Sequence, residues 1–139
     1  MDTPTSRLRD VNQLLIDHPW VASYRFSRQR TTKNSIYIRV HLSLLDGSTL
    51  QFTEYGEVDV AGALQTVTYT YQWMTADNSL LLRWDNAPHY PHLAGFPHHL
   101  HAGDDKTIVS SEPMTLVKVL NVIAAKLAAA SQSIQDPQV

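Results

Sequence analysis

The strongest constraint in this sequence is a series of short runs in which apolar and polar residues alternate, each closed by turn-forming residues. From Ile36 to Leu45, the residues Ile36, Ile38, Val40, Leu42 and Leu44 fall on one side and Tyr37, Arg39, His41 and Ser43 on the other. A period of two is the pattern of a strand with one buried face. Asp46-Gly47 then supplies the positive φ that a tight hairpin needs. Leu64 to Met74 repeats the pattern, with Val67, Tyr69, Tyr71 and Trp73 opposed by Thr66, Thr68, Thr70 and Gln72. Val21 to Arg30 sets Tyr24 and Phe26 against Ser23, Arg25 and Ser27, and Leu50 to Val60 reads as a strand with a bulge at Gly56. Ser79 to Trp84 follows a turn at Asp77-Asn78. Short turns between consecutive strands make neighbours antiparallel.

Helical spacing is confined to the two ends. Thr5 or Ser6 can cap a helix carrying Leu8, Val11 and Leu15, which Pro19 stops after Asp17-His18. His18 there is a surface residue beside a helix C-terminus. Ser110 or Ser111 can cap a second helix with Pro113 in its first turn. Leu116, Val119, Leu120, Ile123, Ala124 and Leu127 form its apolar stripe, which alanines carry to about Ala130. From residue 131 the tail is polar and expected to be disordered. Two helices can cover one face of a sheet. The expected fold class is therefore α+β: an antiparallel meander of about five strands, with the N-terminal and C-terminal helices packed on one face, in a single domain over residues 1–139. The other face, rich in Thr, Arg, Tyr and His, is left for a ligand or for a second copy in a homodimer.

With 139 residues, 43% of them hydrophobic, the chain can bury one core of ordinary size. A net charge of −2 gives no global attraction for nucleic acid, so any such binding needs a local cationic patch. The absence of cysteine excludes disulfides and thiolate metal sites. The first ten residues, MDTPTSRLRD, lack the apolar core of a signal peptide, and no run approaches the roughly 20 apolar residues of a membrane span. These features lead to the expectation of a cytoplasmic protein without a membrane partner.

The stretch from Leu80 to His101 carries the chemistry. Five of the seven histidines lie in it: His89, His92, His98, His99 and His101. Pro88, Pro91 and Pro97 fix torsions and remove amide donors, so the segment reads as an ordered loop, the kind of place where functional residues gather. In one reading, His89-x-x-His92 and His99-x-His101 with Asp85 ligate a zinc-type ion. In another, imidazoles act as base and acid on a phosphodiester while Arg83, with Arg39 from the open face, holds the phosphate charge. Trp84, Tyr90 and Phe96 then offer flat surfaces for an unstacked base, and Asp85 orients an imidazole. In a third, Trp84 is a core aromatic, Asp85-Asn86 forms an Asx turn, and the histidines are a surface cluster.

Thr70-Tyr71-Gln72-Trp73, then Arg83-Trp84-Asp85-Asn86-Ala87-Pro88-His89, then Phe96-Pro97-His98-His99-x-His101, together resemble the signature of the TumE-like toxins of prokaryotic toxin–antitoxin modules. The resemblance implies a toxin that arrests growth by cutting cellular RNA, and a partner antitoxin with a helix-turn-helix domain; the phosphodiester reading expects no cofactor. The resemblance marks Arg83, Asp85, His89, His98, His99 and His101 as candidate catalytic residues; the phosphodiester reading adds Arg39, Trp84, Asn86, Tyr90 and Phe96 as candidate substrate contacts. Tyr90 stands where relatives often carry a second histidine. The alternatives are a toxin that transfers a nucleotidyl or similar group, and a non-enzymatic metal- or RNA-binding module.

Overall fold

Alternation along each run becomes one buried and one open face of a sheet. A computed structural model describes residues 2–104 and 106–135. Helix α1 (Pro4–Asp17) leads into strands β1 (Val21–Thr31), β2 (Ser35–Leu44), β3 (Thr49–Val58), β4 (Leu64–Met74), β5 (Leu80–Asp85), β6 (His99–Ala102) and β7 (Ile108–Ser110), and helix α2 (Leu116–Gln135) follows. The strands form one sheet in sequence order, every neighbour antiparallel.

The alternating residues of β2 and β3 are buried on one side, from Ile36 to Leu44 and at Leu50 and Phe52. Tyr69, Tyr71, Trp73 and Trp84 continue that side. Val11 and Leu15 of α1 and Leu116, Val119, Leu120, Ile123 and Leu127 of α2 close over it in the same cluster. Burying such a side chain contributes about 1.5–3 kcal/mol. Both helices thus occupy one face, as the α+β reading requires.

Seven strands replace the expected five or so. Of the additional two, β7 lies beyond the histidine segment and β6 begins within it: His99, Leu100 and His101 alternate, with Leu100 packed against the core and both histidines on the opposite side. Pro97 ends just before this run, so the ladder is free to form. The bulge expected at Gly56 has its extra residue on the partner strand: Tyr55 pairs with Thr68 and Gly56 with Thr66, leaving Val67 between them and 44% exposed. A β-carbon on Gly56 would meet the Gln65 carbonyl at 3.2 Å, so the ladder closes tightly at that point.

Helix ends also differ from expectation. Thr3, not Thr5 or Ser6, caps α1: its hydroxyl accepts from the Ser6 amide while the Ser6 hydroxyl accepts from the Thr3 amide. Pro4, next to it, has no amide hydrogen to satisfy. Ser110 ends β7, and the Thr115 hydroxyl accepts from the Lys118 amide at the start of α2. Pro113 therefore precedes the helix. That helix runs past Ala130 to Gln135. The rest of the expected disordered tail, 136–139, lies outside the described residues.

Candidate active site

Strand register decides which functional side chains meet. Arg83 and Asp85 share the open face of β5, and Trp84 between them points into the core. Across the ladder, Asp85 pairs with His99 and Arg83 with His101. On the other side, Thr70 pairs with Asp85 and Gln72 with Arg83. Four polar residues of β5 and β6 are thereby stacked on one patch of sheet.

The patch is a connected network. His99 Nε2 lies 2.9 Å from Asp85 Oδ1, and His99 Nδ1 lies 3.0 Å from the Pro97 carbonyl. Both ring nitrogens face acceptors, so the ring is pinned. Asp85 Oδ1 also accepts from the Ala87 amide at 3.0 Å, and its Oδ2 lies 3.6 Å from both Arg83 Nε and His101 Nε2. Arg83 Nη2 stands 3.1 Å from His101 Nε2. The side chains of His99 and His101 are 2% and 4% exposed and that of Asp85 is 11%, whereas the Arg83 side chain keeps 28% of its surface open. Charged and polar groups this deep persist when they satisfy one another.

Above this floor, the segment from residue 86 to 98 is folded by tight turns, with Leu93 N bonded to Tyr90 O, Phe96 N to Leu93 O and His98 N to Gly95 O. The ordered loop expected for this segment thus covers 86–98, and the strand begins at His99. Tyr90 sits at φ 60°, a left-handed conformation that is an outlier for a bulky residue. Its ring meets His99 and His101 edge to face, with centroids 5.0 and 6.3 Å away. Strain of this kind gathers at functional sites because it aims a side chain where regular backbone would not. Gly95 (φ 81°) has no room for a side chain either, since a β-carbon would lie 2.8 Å from the Ser111 carbonyl. Thr70, Gln72, Arg83, Asp85, Ala87, His89, Tyr90, His99 and His101 line a cleft of about 340 Å³, with exposed His89 among them.

The other named residues lie elsewhere. His98 stacks on Tyr69, on the core side, and its Nδ1 accepts from the Tyr69 hydroxyl at 2.7 Å while that oxygen takes the Met114 amide at 3.3 Å. Burial, and then neighbouring His99, lower the His98 pKa, consistent with a neutral ring accepting that hydrogen. Asn86 bonds the Tyr69 amide and the Val67 carbonyl, extending the β4–β5 ladder. Trp84 is buried in the core, and Phe96, 42% exposed, is outside the cleft lining. Arg39 is on the open face of β2, where the Gln51 amide, with its oxygen turned inward, accepts from Nη2 at 2.6 Å. Thr70 and Gln72 belong to the signature string but are not among the candidate site residues named from the sequence; pairing of β4 with β5 sets them opposite Asp85 and Arg83.

Asp85, His99 and His101 also bring one ligand atom each within 4.8 Å of the others, enough to hold an ion. As arranged, an ion would have to break the His99–Asp85 bond and compete with the Arg83 guanidinium for Asp85 Oδ2 and His101 Nε2.

A family model described as toxin TumE matches residues 11–128, which takes in the sheet, the whole cluster and most of α2. The chain belongs to the TumE toxin family. It is thus a toxin component of a toxin–antitoxin module and has an antitoxin partner. No curated protein and no solved structure matches it. Among the described residues, no helix is long and apolar enough to cross a membrane.

Proposed function

We propose that this toxin is a ribonuclease that cuts cellular RNA by metal-free proton transfer in the Arg83/Asp85/His99/His101 cleft. The observation that carries this reading is the convergence of one guanidinium, one carboxylate and two imidazoles within 2.9–3.6 Å on one sheet face, under a strained tyrosine. The base takes the proton of a ribose 2′-hydroxyl, whose oxygen then attacks phosphorus. The 5′-oxygen leaves with a proton from the acid, giving a 2′,3′-cyclic phosphate and a 5′-hydroxyl. His101 on the floor and His89 at the exposed rim are the assigned proton-transfer pair. Arg83, partly open, takes the phosphate charge as it develops. Asp85 and His99 are positioning residues, since each already spends its polar atoms inside the cluster. His98 positions the loop through Tyr69, and Tyr90 supplies an aromatic edge for a base.

A helix-turn-helix antitoxin, a cytoplasmic location beside the RNA, and a homodimer complete the proposal. The three-residue β7 leaves a short sheet edge, and the 11-residue β1 a longer one, on which a second chain can add.

To test the activity, purified protein is incubated with total RNA in chelator, beside His101→Ala and Arg83→Ala. Discrete fragments from wild type only are the expected result; fragments from all three proteins alike would remove the assigned site. The second reading, a metal-binding module, rests on the 4.8 Å cluster of Asp85, His99 and His101. It predicts a stoichiometric ion in the purified protein that Asp85→Asn releases.

A further inference from the structure

A second cationic region lies on the same open face, at the opposite end of the sheet. A β-bulge creates it. Strand β1 is in regular register from Ser23 to Phe26, which pairs with Val40, but the next pair is Arg28 with Arg39, so Ser27 and Arg28 both stand opposite one residue. Without that extra residue, Arg28 and Arg30 would follow Phe26 to the helix side. With it, they join Arg25 and Arg39 on the open face. Four of the seven arginines are thereby gathered on two strands of a chain whose net charge is −2. Arg25, Arg28 and Arg30 are exposed. His41 answers to this field: after burial, Arg25 and Arg39 are the causes that lower its pKa.

The register links this region to the cleft. One rung runs Arg28, Arg39, Thr53, Thr70, Asp85, His99, and the next Arg25, His41, Gln51, Gln72, Arg83, His101. Both rungs start at an arginine and end at a histidine of the cluster. Across the middle strands, β3 and β4, they carry only uncharged polar residues: Thr53 and Thr70 on one rung, Gln51 and Gln72 on the other. At about 4.8 Å per strand, Arg39 and Asp85 are roughly 14 Å apart along the rung. Beside Arg30, Tyr37 and Tyr55 face each other across β2 and β3, and both border the same hollow as Arg28 and Arg30. The Tyr55 hydroxyl donates to Glu57 at 2.6 Å, which fixes its ring and sets one carboxylate at the far margin.

We infer that this face is a binding track for single-stranded RNA: Arg25, Arg28, Arg30 and Arg39 hold backbone phosphates, Tyr37 and Tyr55 stack bases, and the strand leads along the rungs into the cleft. Arginines interleaved with flat rings suit a flexible polyanion carrying unstacked bases. An acidic protein segment would match the charge but has no use for the paired rings or for rungs that end at the cleft. The inference deepens the ribonuclease reading and depends on it for the strand's destination, not for the binding itself.

The test uses full-length protein and a labelled 2′-O-methyl oligoribonucleotide, which cannot be cut, followed by fluorescence anisotropy over a range of salt. Four phosphate contacts on a single strand give a log–log slope of about −3, so raising salt fourfold weakens binding about 50-fold. In Arg28→Gln/Arg30→Gln the slope falls to about −1.4 and the same change in salt weakens binding only about 7-fold. On cleavable RNA that variant raises KM and leaves kcat unchanged. A variant that binds with wild-type affinity and slope overturns the track. So does one that binds RNA normally and escapes the antitoxin, because the face then belongs to that protein. If wild type cuts no RNA while the slope still falls in the variant, the track stands and the nuclease assignment alone fails.

Discussion

Among the described residues two carboxylates are buried, Glu54 and Asp85, each beside an arginine, and they are held very differently. On the helix side, Glu54 takes Arg7 Nη2 on both oxygens, at 2.6 and 2.8 Å, and the Tyr71 hydroxyl at 3.0 Å. The acceptor capacity is spent on close partners, and the pair clamps α1 to β3. On the open side, Asp85 holds Arg83 only at 3.6 Å and shares itself among two histidines and a backbone amide, at the bottom of a cleft. Similar residues thus serve two ends. A short, saturated pair fixes structure, and the looser one, with several proton-bearing neighbours, lies in the proposed site.

Substitutions should separate the two. His101→Ala and Arg83→Ala are expected to lower RNA cleavage by about 10²- to 10⁴-fold, the usual effect of losing an acid–base or charge-stabilising group, with the fold retained by circular dichroism. Comparable cleavage by either variant would place Asp85 with Glu54 among structural carboxylates. Glu54→Ala should instead cost about 1–3 kcal/mol in urea unfolding, because the buried Tyr71 hydroxyl loses its acceptor, while protein that remains folded still cuts RNA.

A smaller effect is expected for Gly95→Ala, which forces a β-carbon toward the Ser111 carbonyl at positive φ. Loss of about 1 kcal/mol or more, with weakened cleavage from a displaced Tyr90, would tie the loop's shape to the site. Smallest is a pH effect. His98, His41 and His18 all have lowered pKa values from burial, so they favour the neutral ring when folded. The stability they contribute is present above the unfolded value of about 6.5 and is lost as pH falls through the lower folded values. Urea midpoints should therefore fall below pH 6.5, and less steeply in His98→Asn. An identical slope in that variant would show that the Tyr69–His98 contact has no share in it.

Much of the fold was legible because burial follows parity. Ile36 to Leu44 could not keep five apolar residues on one side in any other regular form, and both helices announced themselves by spacing. Two features were hidden by local signals. Pro97 masked the short alternation of His99, Leu100 and His101, so β6 read as loop. The bulge at Ser27 was invisible, since it depends on pairing with β2, and it alone brings Arg28 and Arg30 to the open face. At the site, the candidate set is Arg83, Asp85, His89, His98, His99 and His101, of which strand register brings Arg83, Asp85, His99 and His101 side by side. What the sequence could not give was facing: His98 is adjacent to His99 in the chain yet turns to Tyr69 in the core, and Trp84 points away from its neighbours Arg83 and Asp85. Arg7 and Glu54, 47 residues apart, carried no signal of their pairing.

The chemistry at the RNA ends tests the central claim most directly. Purified toxin, in chelator, should leave 2′,3′-cyclic phosphate on one fragment and a 5′-hydroxyl on the other, because attack by the ribose oxygen leaves those groups. Ends bearing 3′-hydroxyl and 5′-phosphate, formed only when a divalent ion is supplied, would contradict it and assign Asp85, His99 and His101 to a metal instead.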